Sequence, residues 1–143
     1  MQKALARKVL VLVCVSGLLL SNAEKSIGVT LPKLTGPSTV NRSTWVRFYG
    51  TGFPLDARVS VFLVPVEFIG GNCCGISVLG KWKANDLGRV VIAFRWPRGY
   101  HRCSGGRDCN LYAWDSGERV QMQVSAAKPG TTGVSMTKLV RVL

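Results

Sequence analysis

The stretch Ala57-Arg58-Val59-Ser60-Val61-Phe62-Leu63-Val64-Pro65-Val66 alternates apolar and polar positions before running fully apolar. In an extended chain successive side chains point to opposite faces, so Val59, Val61 and Leu63 share one face and Arg58, Ser60 and Phe62 the other. The same period recurs at Val90, Ile92, Phe94 and Trp96, set against Val91, Ala93 and Arg95. Two such stretches predict strands whose apolar faces meet between two sheets. Outward from them, short apolar runs at residues 27–31, 44–49, 76–83, 111–114, 119–126 and 134–142 are bounded by Gly, Pro, Asn and Asp. No 3.6-residue period follows Leu20, so the chain is expected to be all-β, a sandwich of seven to eight strands.

Turn chemistry separates these runs. Gly50-Thr51-Gly52-Phe53-Pro54 combines glycines with a proline that stops a ladder, and Lys128-Pro129-Gly130-Thr131-Thr132-Gly133 precedes the last strand. Asn85-Asp86-Leu87-Gly88 is expected to close a hairpin between Trp82 and Val90. Leu34-Thr35-Gly36-Pro37-Ser38-Thr39-Val40, the run from Trp45 to Pro54, Ala57-Arg58-Val59-Ser60-Val61 and the later Ala84 to Val90 together resemble bacterial secreted immunoglobulin-like domains of the IPT/TIG type. That resemblance implies an immunoglobulin-like Greek-key β-sandwich acting as a surface or binding module. A narrower resemblance, carried also by Val124-Ser125-Ala126-Ala127 and Gly133-Val134-Ser135-Met136, is to neocarzinostatin-like apoproteins, which implies carriage of an apolar small molecule in a cleft. The adjacent cysteines and the basic loop of this chain differ from that group.

Residues 1–23 read as a signal peptide. Lys3, Arg7 and Lys8 precede a twelve-residue apolar run from Val9 to Leu20, and Ser21-Asn22-Ala23 has the small-x-small cleavage pattern. The run is well short of the roughly 20 residues a spanning helix needs. Residues 24–143 are therefore expected to be one secreted or cell-envelope domain without a transmembrane segment. They keep sixteen Lys and Arg against seven Asp and Glu, a formal charge of +9. That balance favours an anionic polymer or cell-surface ligand as partner, and export sets nucleic acid aside. The basic residues form no run, so charge alone locates no site. Asn41-Arg42-Ser43 also matches a glycosylation sequon.

An exported chain with cysteines at 73, 74, 103 and 109 is expected to form disulfides. Neighbouring cysteines make a strained ring if bonded to each other, so Cys73 and Cys74 are each expected to reach across to Cys103 or Cys109, in preference to Cys73–Cys74 with Cys103–Cys109. A zinc site from these cysteines and His101 lacks the usual C-x₂₋₄-C spacing, and no metal or cofactor is expected. The densest chemistry lies between Trp96 and Cys109, where Arg98, Arg102 and Arg107, the chain's one histidine, His101, and the rings of Trp96 and Tyr100 share a loop. Such a loop is a candidate binding surface, with arginines pairing with phosphate or carboxylate and the rings stacking on a sugar or base. The opposing expectation is that the rings cap the core and the arginines simply face water. Without a nucleophile elbow, a zinc-protease helix motif or a histidine beside a free nucleophile, no catalytic residue is assigned and a non-enzymatic protein is expected. A purely structural envelope role is the remaining alternative.

Overall fold

The computed structural model describes residues 31–70, 74–104 and 108–143. The expected leader, the first candidate strand apart from Leu31, Cys73 and Arg107 lie outside the described residues. Ten strands are formed among those described: β1 (Lys33–Thr35), β2 (Thr39–Val40), β3 (Trp45–Thr51), β4 (Arg58–Pro65), β5 (Cys74–Lys83), β6 (Val90–Arg95), β7 (Gly99–Ser104), β8 (Asp108–Ala113), β9 (Arg119–Ala127) and β10 (Val134–Val142). They build a three-stranded sheet, β1-β3-β6, and a seven-stranded sheet, β2-β10-β9-β4-β5-β7-β8. Among the described residues no helix is long and apolar enough to cross a membrane.

The sandwich follows from the alternation. Val46, Phe48, Val90, Ile92 and Phe94 turn inward from the small sheet to meet Val59, Val61, Leu63, Val120, Met122 and Val124 of the large one, all buried. Phe48 stacks on Phe94 with centroids 6.1 Å apart, and Phe94 on Trp96 at 5.8 Å. Burying a side chain of this size contributes roughly 1.5–3 kcal/mol, which makes this aromatic row the energetic centre of the domain.

Two connections differ in kind. Lys128 to Gly133 joins β9 and β10, which pair antiparallel from Val134↔Ala126 to Arg141↔Arg119, as a hairpin turn should. The Asn85 to Gly88 turn is corrected, because β5 and β6 belong to different sheets and the chain crosses the sandwich there. The turn's own chemistry is as expected: Asn85 Oδ1 accepts from the N–H groups of Leu87 and Arg89 at 3.0 and 2.9 Å. Gly88 adopts φ +68°, and a side chain there would strike the Phe53 carbonyl oxygen. Phe53 N–H donates to that same Gly88's carbonyl at 3.1 Å, so the two turns knit the sheets together at this end.

Three short segments carry pairing that the apolar runs did not signal. β1 and β2 are edge strands of three and two residues, β2 lying parallel to β10. β7 begins inside the expected loop, so the stretch from Gly99 onward is a hairpin with β8, attached to β5 through Cys74↔Arg102 and Gly75↔His101.

Candidate functional site

The hairpin register decides the fate of the expected loop. Tyr100 lies opposite Tyr112, His101 opposite Leu111, and Cys103 opposite Cys109. Directly opposed residues on an antiparallel pair are close enough for a disulfide, and Cys103 and Cys109 are bonded with their Cα atoms 4.0 Å apart. The expected reach of both into Cys73 and Cys74 is thereby corrected. Cys74 is buried at the head of β5. The Cys103–Cys109 bond closes a short loop, with a sequence separation of 6, and loop-closure entropy at that length gives about 2 kcal/mol. A Cys103→Ser, Cys109→Ser double variant is expected to melt about 6–10 °C lower than the parent by calorimetry. An unchanged melting temperature would show the bond adds nothing to stability.

The two rings expected to stack on a ligand are core residues, which is a second correction. Trp96 is 1% exposed and Tyr100 6%. Trp96 continues the inward face of β6, its N–H donating to the Thr44 carbonyl at 2.8 Å. Tyr100 packs against Trp114 with centroids 4.7 Å apart and lies near Phe68 at 6.3 Å. That burial pushes the Tyr100 phenol above its ordinary pKa. Arg102, on the same face of the hairpin, lays its guanidinium over the rings of Phe68 and Tyr112, at 5.1 and 5.8 Å from their centroids. His101 is exposed on the opposite face.

Arg98 belongs to a different neighbourhood. Its Nε donates to Ser43 Oγ at 3.3 Å, and Arg95 Nε donates to the carbonyl of the same Ser43 at 2.6 Å. Arg42, next in the chain to Ser43, donates from Nη1 to the Trp114 carbonyl at 3.0 Å. The turn that gathers them is tight: Thr44 N–H and Oγ1 both donate to the Asn41 carbonyl, at 3.3 and 2.7 Å. Ser43 sits at φ +61°, in the left-handed region a serine rarely occupies, held by its N–H donating to the Trp96 carbonyl at 3.0 Å. Arg42, Arg95 and Arg98 thus spend one donor each on neutral oxygens and keep the rest of their guanidinium donors for other partners. The one ion pair among the described residues lies elsewhere, between Lys83 and Asp56 at 2.9 Å. The Lys83 ammonium holds that carboxyl below the usual carboxylate range.

Sequence reasoning missed Arg42 and Arg95 as partners of Arg98. Arg42 stood inside the sequon and Arg95 on the outward face of an anticipated strand, but nothing local to either signalled that Arg95 bonds to the Ser43 turn or Arg42 to the Trp114 carbonyl. Among the described residues no three His, Cys, Asp or Glu side chains gather as metal ligands.

No protein-family model and no curated protein matches the chain. Among solved structures it is similar to a superoxide reductase (neelaredoxin) from Ignicoccus hospitalis, at 10% identity and TM-score 0.48, covering 78% of this chain and 80% of that one. It is also similar to macromomycin, at 13% identity and TM-score 0.43, covering 74% and 96%. A PKD domain of an M14-like peptidase from Thermoplasmatales archaeon SCGC AB-540-F20 is similar at 12% identity and TM-score 0.36, covering 78% and 91%. Likeness at this distance carries no functional assignment, and the immunoglobulin-like sandwich rests on the strand pairing itself.

Proposed function

We propose that the chain is an exported, non-catalytic immunoglobulin-like module that binds an anionic extracellular polymer through the arginines beside the Ser43 turn. The carrying observation is the convergence of Arg95 and Arg98 on Ser43, with Arg42 adjacent, through contacts that contain no carboxylate. Guanidinium groups held in place by neutral acceptors lose little further entropy when they pair with carboxylate, sulfate or phosphate, and they pair bidentately. The leader-like residues 1–23, the positive balance and the IPT/TIG-type resemblance of residues 34–40, 45–54, 57–61 and 84–90 support the same reading. Of the expected loop, Arg98 is the residue this surface includes; His101 and Arg102 stand on opposite faces of the neighbouring hairpin, and Trp96 and Tyr100 are in the core.

The test is salt-gradient elution from immobilised heparin, a polyanion, followed by titration in solution. An Arg42→Gln, Arg95→Gln, Arg98→Gln variant is expected to bind at least about tenfold more weakly at 0.1 M salt, since three exposed charge contacts of about 0.5–1 kcal/mol each exceed the 1.4 kcal/mol of a factor of ten. A Lys128→Gln, Lys138→Gln, Arg141→Gln variant removes equal charge from β10 and its turn and is expected to lose no more than about threefold. Equal losses in the two variants would mean that the protein is merely basic.

A further inference from the structure

The outer face of the three-stranded sheet is unlike the solvent face of an ordinary sandwich. On β3 the residues turned away from the core are Trp45, Arg47 and Tyr49, and their partners across β6 are Arg95, Ala93 and Val91. Trp45 is 75% exposed and Tyr49 48%. The inward positions already supply the core, so packing does not call for aromatic rings outside. β1 adds Thr35 opposite Tyr49 and Lys33 opposite Thr51. No acid stands among the outward residues of these three strands, whereas Lys33, Arg47 and Arg95 do.

A hollow lies at each end of this face. One, of about 550 Å³, runs between β6 and β5 and is lined by Trp45, Trp82, Lys81 and Arg95 among others. It exists because β5 bulges away from β4, with Val59 opposite Trp82 but Val61 opposite Val78. Gly80 in that bulge leaves the space that the Trp82 ring fills. Trp82 Nε1 then donates to the Ala93 carbonyl at 3.3 Å, which blocks the middle of the free β6 edge against an added peptide strand. The other hollow, of about 450 Å³, is lined by Tyr49, Arg89 and Val91 with their neighbours.

We propose that this face, from the Trp45 hollow to the Tyr49 hollow, is the binding platform for an acidic polysaccharide. The inference rests on the anionic-polymer reading and names its substrate class. An exposed aromatic face packs against the C–H face of a sugar ring, which carries partial positive charge, while flanking guanidinium and ammonium groups pair with its carboxylate or sulfate. Trp45 and Tyr49 stand four residues apart on one strand, about 13 Å, so the platform suits an oligosaccharide rather than a single sugar. Arg95 joins the platform to the Ser43 turn, being cross-strand partner of Trp45 and donor to the Ser43 carbonyl.

The experiment is calorimetric titration of the full chain, as exported by its host cell, with hexagalacturonate and a heparin hexasaccharide. Fully methyl-esterified hexagalacturonate and a dodecathymidylate strand serve as comparators. Trp45→Ala is expected to weaken binding of the acidic hexasaccharides about tenfold, as loss of a stacking ring does. Trp45→Phe should restore most of it, and the methyl ester should bind far more weakly than its acid. Trp45 is exposed, so folding is expected to survive, and an unchanged melting curve confirms it. If Trp45→Ala and Tyr49→Ala both leave affinity unchanged while the Arg42, Arg95, Arg98 variant loses it, the platform is overturned and the anionic-polymer reading stands. If the wild type binds neither acidic hexasaccharide, both fall. Trp45-dependent binding of the dodecathymidylate that equals or exceeds that of the sugars would replace polysaccharide by nucleic acid and overturn the class proposed.

Discussion

Trp96→Ala is expected to destabilise the fold by about 3–5 kcal/mol, the range for emptying a buried aromatic site. Against a total stability of about 5–15 kcal/mol for a domain, that approaches global unfolding at growth temperature. The ring is 1% exposed, stacks on Phe94 at 5.8 Å and belongs to the row that runs on to Phe48. Its indole Nε1 has no hydrogen-bond acceptor among the described residues. Trp96→Phe therefore gives up volume but also a buried unpaired donor, and is expected to cost no more than about 1.5 kcal/mol. Urea denaturation of the three proteins checks both values. Wild-type stability in Trp96→Ala together with lost retention on heparin would return Trp96 to the ligand-stacking role and remove it from the core.

The second large effect is expected at Gly99. A β-carbon there would fall on the Tyr112 carbonyl oxygen, with the Tyr112 carbonyl carbon at 2.7 Å and Ala113 Cα at 3.0 Å. All three are backbone atoms of the paired strand β8, so no side-chain rotation relieves the clash and the two strands must part. Separation pulls Tyr100 from Trp114, which lie 4.7 Å apart. Gly99→Ala is expected to cost about 3 kcal/mol or more, the upper end for overpacking a fitted site. Gly133→Ala is the control: its new β-carbon meets the Ala126 carbonyl oxygen at 3.4 Å, an ordinary contact, and it should stay within about 0.5 kcal/mol of the parent. Equal melting temperatures for Gly99→Ala and Gly133→Ala would contradict the close approach of β7 and β8.

The candidate site was legible in part. The stretch from Trp96 to Cys109 drew attention for its arginines, and Arg98 does take part in the arginine group. Its partners were hidden because Arg95 and Arg98 meet Ser43 across separations of 52 and 55 residues. Trp45 and Tyr49 read as ordinary strand residues until the sheet showed that they turn away from the core and stand exposed among the described residues. Arg107 and Cys73 lie outside the described residues.

Local chemistry by itself determined that the described domain is all-β and which side chains of β4 and β6 turn toward the core. Alternation at Val59, Val61 and Leu63, or at Val90, Ile92 and Phe94, needs only the two-residue period of an extended chain. It also determined the turn at Asn85, whose side chain caps backbone groups within four residues. Only the tertiary structure decided whether that turn closed a hairpin or crossed between sheets. A turn reverses the chain, but the burial of both flanking apolar faces selects the partner strands. The same holds for the cysteines. Their pairing follows from the β7–β8 register that sets Cys103 opposite Cys109, and that register is held by Tyr100 and Trp114 packing on a core assembled from the whole chain.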